Sequence, residues 1–378
     1  MIRYQIAAAL TVAVSLSACE PGAKSSVQTG PRGTGMDQIV DISAMKKASA
    51  VPAPPYPLPA DGGQTAGAAY QNVKVLGGIS KDRFDHLMAS ITQWVAPPEQ
   101  GCNYCHNPEN LASDEKYTKV VARKMLQMTR NINTRWSSHV QNVGVTCYTC
   151  HRGNAVPEYK WAIAGGTPNP NSILGNKRGQ NAPDPNVAYA SLPHDPFDAF
   201  LSSNGPDNIR VAGKSAFPNG KGASIKDAEA SYGLMMHLSG ALGVNCTFCH
   251  NTQSLGSWAL SRQQRATAYY GIRMVRDINA DYISTLQTVF PAYRKGPHGD
   301  PYKVNCMTCH QGQSKPLGGV SMLAQAPGLK GPPMATAQDV GGAAGAAATR
   351  ATFDNPQAVN SGQTPVARPT PAAPPTGQ

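Results

Sequence analysis

Eight of the nine cysteines fall into four identical frames, each closing on a histidine: Cys102-Asn103-Tyr104-Cys105-His106, Cys147-Tyr148-Thr149-Cys150-His151, Cys246-Thr247-Phe248-Cys249-His250 and Cys306-Met307-Thr308-Cys309-His310. Two thiols three positions apart can each add across a vinyl group of one haem, and the next histidine then lies under the iron as an axial ligand. A single Cys-x-x-Cys would also suit a thioredoxin-like redox pair or half a zinc site. Neither chemistry requires a histidine after every pair. The frames therefore predict four covalent c-type haems, held by all eight cysteines and ligated on one side by His106, His151, His250 and His310.

An iron that only exchanges electrons benefits from two strong protein ligands, because little then moves between oxidation states. Four distal partners are needed. An amphipathic helix precedes the first motif of each pair, carrying Phe84, Leu87, Met88, Ile91 and Val95 in one case and Leu234, Met235, Leu238 and Leu242 in the other. Met88 and Met235 stand 14 and 11 residues before their first cysteines. Between the motifs of each pair, the stretch from Arg123 to Asn133 lines up with that from Tyr269 to Asn279, so that Met128 matches Met274 while Met125 faces Gly271. Met125 lies 22 residues before Cys147, and the second half has no methionine at the matching place. His139, eight residues before Cys147 and without a counterpart, is the candidate for that vacancy if it crosses to the fourth haem. Three irons would then be His/Met and one His/His. Methionine at helical spacing more often fills a core, which is the expectation for Met128, Met236 and Met274. Met125 and Met128 lie one turn apart and could exchange roles, and His237 could displace Met235. His86, His194, His237 and His298 otherwise read as surface or hydrogen-bonded residues.

The elements that must hold these residues follow from the rest of the chain. Its 378 residues suffice for a real core, and only 15% are charged. The 37 glycines and 32 prolines crowd the two ends, which marks extended tails around a folded middle. A net charge of +11 without any Lys/Arg run longer than Lys46-Lys47 offers no nucleic-acid surface. Arg3 precedes an apolar run from Ile6 to Leu16, too short to span a bilayer and right for a secretory signal covering residues 1–18. The run ends Leu16-Ser17-Ala18-Cys19, which resembles the lipobox of bacterial lipoproteins, with Cys19 as the acylated residue; a plain signal peptide with an incidental cysteine is the alternative. Two acyl chains anchor stably where one is marginal. Residues 19–70, with Pro52-Ala53-Pro54-Pro55, read as a lipidated extended arm. Residues 71–160 form a first two-haem unit, 161–222 a connection, 223–318 a second two-haem unit, and 319–378 an Ala/Gly/Pro-rich tail. The expected fold is mainly α with much irregular chain, built from duplicated two-haem units, with minor β structure.

In combination, the four frames in two halves, the spacing from Met125 through His139 to Cys147, and Cys19 resemble the tetrahaem cytochrome subunit bound to the photosynthetic reaction centre of purple bacteria. The resemblance implies Met88, Met125 and Met235 as distal ligands of the first three haems and His139 as that of the fourth. It also implies a nearly linear row, with the third haem nearest the special-pair bacteriochlorophylls and the first outermost. The function implied is electron transfer without bond-making catalysis, from a soluble c-type cytochrome or high-potential iron–sulfur protein to the photo-oxidised special pair. The place implied is the periplasmic face of the inner photosynthetic membrane, with the chain held by its lipid. Thioether ligands raise the potential relative to a second imidazole, so a low-potential fourth haem would sit among higher ones. Two other classes fit the frames less well: a periplasmic multihaem reductase, which needs an open iron, and a membrane-anchored relay cytochrome serving another oxidoreductase. Glu99, Glu109, Asp114 and Glu115 gather around the first motif, partly offset by Lys81, Arg83 and Lys116. They would steer a basic donor, whereas an apolar collar would suit an iron–sulfur protein.

Overall fold

Long helices form where apolar side chains recur every three or four residues. The computed structural model describes residues 22–30, 36–163, 184–192, 195–202 and 225–331. Its N-terminal part holds strands β1 (Lys24–Thr29) and β2 (Met36–Asp41) and helix α1 (Ile42–Ala48). Helices α2 (Lys81–Val95), α3 (Tyr117–Arg135), α4 (Ser137–Val140) and α5 (Cys147–His151) and strand β3 (Lys160–Trp161) follow. Helices α6 (Phe197–Leu201), α7 (Ile225–Leu242) and α8 (Gln263–Asp277), strand β4 (Lys303–Val304) and helix α9 (Cys306–His310) complete the series. Short 3₁₀ turns and irregular chain make up most of the remainder, so the fold is mainly helical with little sheet. Among the described residues, no helix is long and apolar enough to cross a membrane.

Three apolar clusters hold these elements. Val75, Leu76, Leu87, Trp94 and Leu126 pack with Leu317, Met322, Ala326 and Leu329. Phe197, Phe200 and Leu201 of α6 pack with Trp161, Leu234, Ile272 and Val275. Ile132 of α3 meets Met274 of α8, Ile278 and Ile283, which joins the two halves. Burying each such side chain contributes about 1.5–3 kcal/mol, so clusters of this size fix the relative placement of α3 and α8.

Two boundaries differ from the expectation. Within residues 19–70, β1 and β2 pair antiparallel from Lys24↔Asp41 to Thr29↔Met36. This hairpin is fastened to the third motif: Thr29 Oγ1 donates to Asn245 Oδ1 at 2.7 Å and Gln38 Nε2 donates to the Gly243 carbonyl at 2.7 Å. Among the described residues of the arm, 49–64 is the long stretch without helix or strand. At the other end, residues 319–331 are not tail, since Met322 and Leu329 lie in the first half's core and the Leu329 carbonyl accepts from Asn133 Nδ2 at 2.8 Å. In both places Gly/Pro-rich composition concealed a few well-spaced anchoring side chains. Residues 1–18, expected to be a signal, Cys19, His194, most of the connection and residues 332–378 lie outside the described residues.

Candidate functional site

The four frames take two local shapes. The first and third lie on 3₁₀ turns, Gly101–Tyr104 and Cys246–Phe248. The second and fourth are α5 and α9, each with a reciprocal cap in which the backbone N–H of Thr146 or Asn305 donates to the hydroxyl of Thr149 or Thr308, at 3.0 and 2.9 Å. Arg152 and Gln311 end these helices in the left-handed region, at φ 52° and 49°. The N–H groups of Gly153 and Gly312 then donate to the carbonyls of Trp94 and Ala241, at 2.9 and 2.8 Å. Each exit turn is thus tied to the end of the helix that precedes its pair of motifs.

Every motif histidine is oriented in one way. His106 and His250 present Nδ1 to the carbonyls of Leu111 and Leu255, both at 3.0 Å. His151 and His310 present Nδ1 to those of Asn154 and Gln313, both at 2.8 Å. A carbonyl only accepts, so Nδ1 carries the proton and Nε2 keeps its lone pair for a metal. Burial pushes His151 and His250 below the ordinary imidazole value. His310 falls to about 4, through burial first and the neighbouring His139 second. Neutral imidazoles are what metal ligation requires. Burial pushes the Cys147 and Cys306 thiols up to about 12 and Cys249 to about 11, the reverse of the low-pKa thiolate of a dithiol redox enzyme.

A largely apolar cavity of about 620 Å³ brings together Met88 of α2, Met125 of α3, Cys102, Cys105, His106, Cys147 and His151. Two thioethers, two imidazoles and three thiols around an apolar space of this size fit covalently attached haem. Met125 is on the cavity wall, whereas Met128 is not, and Met274 is buried in the α3–α8 cluster. Arg294, from the loop before the fourth motif, also reaches this wall, donating to the Tyr104 hydroxyl at 3.0 Å. Met235 is half-buried on α7 beside the Phe197 cluster. His237 turns elsewhere: its Nδ1 donates to the Asn186 carbonyl at 3.1 Å and its ring meets Phe197 edge-on at 4.6 Å. His86 is held by the Tyr56 carbonyl through Nε2 at 3.0 Å.

At the fourth motif, α4 packs on α8 and places the His139 ring 6.0 Å from that of His310, inclined by 67°. Two imidazoles ligating one metal from opposite sides at about 2 Å have ring centres roughly 6 Å apart. His139 Nδ1 donates to the Thr267 carbonyl at 2.9 Å, leaving Nε2 with its lone pair.

Cys150 and Cys309 need a correction. Both are expected to carry haem, yet α5 and α9 pack side by side with these Cα atoms 4.3 Å apart, and the two sulfurs form a disulfide. Neither sulfur can add to a vinyl group while bonded to the other. Attachment at these positions requires reduction first.

Several positioning residues escaped the sequence reading. Asn133 Nδ2 donates to the Val145 carbonyl at 2.9 Å and its Oδ1 accepts from the Val145 N–H at 2.8 Å. Asn279 makes the same pair of bonds to Val304, both at 2.9 Å. Val145 and Val304 each stand two residues before a motif, so each asparagine sets the entry of α5 or α9. The shared Arg-Asn-Ile-Asn and Arg-Asp-Ile-Asn runs, Arg130–Asn133 and Arg276–Asn279, were the available signal.

The acidic rim of the first motif is smaller than its sequence suggested. Asp114 is committed to Arg123 at 2.8 Å, Lys119 at 3.5 Å and Lys74 at 3.8 Å; its hydrogen bond from Arg123 is the main reason its carboxyl is held down at about 2. Glu115 accepts from Asn107 at 2.8 Å. Lys81 pairs with Asp85 at 2.8 Å, Arg83 with Asp61 at 2.9 Å, and Lys116 donates to the Asn103 carbonyl. All four carboxylates of the rim are exposed; Asp114 and Glu115 have these side-chain partners.

Repeated Cys-x-x-Cys-His turns on a mainly helical scaffold, each with an imidazole whose Nδ1 is held by a backbone carbonyl and whose Nε2 is left to bind, define a cytochrome of the c type. Its covalent haem carries electrons; it is not an enzyme. The chain belongs to the photosynthetic reaction centre cytochrome c subunit family, whose profile matches residues 20–330. It is 51% identical over 332 residues to the photosynthetic reaction center cytochrome c subunit of Rubrivivax gelatinosus, covering 87% of this chain and 90% of that relative. The corresponding subunit of Thermochromatium tepidum is 46% identical over 322 residues, 85% of this chain and 78% of its own length. That of Roseobacter denitrificans is 39% identical over 339 residues, 84% and 88% respectively.

Proposed function

We propose that the chain holds four c-type haems in two duplicated two-haem units and passes electrons from a soluble periplasmic donor to the photo-oxidised special pair of a reaction centre. Haem supplies one-electron oxidation and reduction; the protein supplies spacing, burial and ligands. Met88, Met125 and Met235 are the distal ligands of the first three sites, opposite His106, His151 and His250. His139 serves the fourth, opposite His310. The observation that carries this reading is the common orientation of the imidazoles, with His139 placed across from His310 so that the fourth motif too has a second partner. For haem to attach at Cys150 and Cys309, an external dithiol must first pass two electrons and two protons to the bond between them, becoming a disulfide itself and leaving two thiols free to add to the vinyl groups.

The order of sites has separate support. The second and fourth motifs are neighbours through α5 and α9, which supports a row with the first and third at its ends. The β1–β2 hairpin sits on the third motif, and Lys24 follows Cys19 by only five residues, a reach of at most about 18 Å. An acylated Cys19 therefore keeps the third motif near the membrane and leaves the first for the soluble donor. On this reading the subunit lies on the periplasmic face of the inner membrane.

Two experiments test the reading. Bacteriochlorophyll should co-purify with the chain from solubilised membranes, and a flash should oxidise its haems; a chain isolated without pigment, binding carbon monoxide in its native state, would point to a reductase. Replacing His139→Met should raise the potential of one low-potential haem and leave the others nearly unchanged. Survival of the low-potential wave would overturn the ligand assignment.

A further inference from the structure

Gly271 lies inside α8 with an ordinary helical backbone, so no special φ calls for glycine there. A glycine in a helix interior costs about 1 kcal/mol relative to alanine. Something other than local conformation must account for it. A Cβ built on Gly271 would lie 2.5 Å from His139 Cε1, 2.8 Å from Nδ1 and 3.2 Å from Nε2. The nearest neighbours of the missing side chain are thus three atoms of one imidazole. One turn earlier on the same helix, the Thr267 carbonyl accepts from His139 Nδ1 at 2.9 Å. The ring therefore rests on α8 between a carbonyl that orients it and a bare Cα that makes room for it.

The matching position on α3 is Met125, on the wall of the cavity shared by the first two motifs. The match is anchored by Asn133 and Asn279, which make equivalent bonds eight residues further along, the first on α3 and the second in the π-helical turn Ile278–Ile283 that continues α8. We propose that Gly271 is a positioning residue for the fourth haem: removal of the side chain at the place where α3 presents a thioether creates the seat on which His139 stands. This deepens the assignment of His139 as distal ligand and rests on it. Ligand exchange in this fold then needs two changes, loss of the side chain on α8 and arrival of an imidazole from the other half.

The test is a cycle of variants of the haem-loaded protein. His139→Gly alone examines the ligand reading. It should open one site to carbon monoxide, about one equivalent per chain; a fully six-coordinate product would refute that reading, whatever holds for Gly271. Gly271→Ala should do nearly the same with His139 still present, because the methyl group occupies the ring's place. It should also lower the melting temperature, although alanine favours the helix. With His139→Gly in the background, Gly271→Ala should instead leave the melting temperature unchanged or raise it, a reversal of sign that an unspecific packing defect does not produce. Gly271→Met with His139→Gly should close the site again with a His/Met signature in near-infrared magnetic circular dichroism. If His139→Gly opens the site while Gly271→Ala leaves carbon monoxide binding, melting temperature and potential unmoved, the seat proposal is wrong.

Discussion

Around Cys147–His151 and Cys306–His310 the chain solves one problem twice. An asparagine from the preceding long helix clamps the residue two before the motif, a threonine inside the motif caps its own helix, and a glycine after it bonds back to α2 or α7. The regions diverge at Met125 and Gly271, where one helix offers a thioether and the other a seat for a histidine from elsewhere. The contrast separates two kinds of constraint. Fixing the motif needs backbone hydrogen bonds in a set register, which leave little freedom. Filling the distal position, on the ligand assignment proposed above, needs only a donor atom arriving from the correct side, and that donor can come from either half.

The largest effect expected from breaking this parallel lies in the clamps. Asn279 is 1% exposed and also donates to the Leu201 carbonyl, so Asn279→Ala takes a hydrogen bond from that carbonyl and from the Val304 N–H, while the Val304 carbonyl keeps the one it accepts from the Trp161 indole. The expected loss is about 3–5 kcal/mol of stability. Asn133→Ala, at a half-buried site that water can partly resolvate, should cost about 2 kcal/mol. Thermal unfolding of the two variants gives the ordering, and equal losses would show that depth is not what distinguishes the clamps. The caps come next. Thr149→Val should cost about 1 kcal/mol, and Thr308→Val somewhat more, since Thr308 also donates to the Tyr159 carbonyl across 149 residues of sequence.

These pairs also show what was legible in advance. The frames, the long helices and the facing of Met125 with Gly271 are local facts, and hydrophobic periodicity with motif spacing reports local facts well. The seat itself was visible only as a missing methionine, because nothing in the run of α8 states that an imidazole from α4 fills the space. The clamps, the hairpin's grip on the third motif and the return of residues 319–331 to the first core are side-chain-to-backbone bonds or apolar contacts made between distant segments. Composition averages such anchors away: Thr29, Gln38, Met322 and Leu329 are few, and each sits in a stretch rich in glycine or proline. The bond between Cys150 and Cys309 was hidden for a related reason. Its cause is the side-by-side packing of α5 and α9, two short helices whose sequences say nothing of each other.

The smallest expected effects concern the rim of the first motif, where Asp114 and the pair Glu99 and Glu109 look alike in sequence and differ in partners. All three are exposed, but Asp114 is bound by Arg123 and flanked by Lys119 and Lys74, whereas Glu99 and Glu109 make no ion pair among the described residues. If charge at this rim guides a basic donor, reversing Glu99 and Glu109 to Lys should slow its second-order reduction of the haem at low ionic strength, with the difference vanishing as salt rises. Asp114→Asn should leave that rate nearly unchanged, because its field is already cancelled by its neighbours, and should act on stability instead. Its carboxyl titrates at about 2 in the folded chain, mainly because Arg123 donates to it, against about 3.9 when unfolded. A depressed folded value stabilises above the unfolded value and loses that contribution as pH falls through the folded one. The gap in melting temperature between the native protein and Asp114→Asn should therefore be constant above about pH 5 and close between about pH 4 and pH 2. It should stay small throughout, since the side chain is 37% exposed and its pairs are screened by water. A gap that persists at pH 2 would mean that Asp114 acts through packing or its bond from Asn72, and not through its charge.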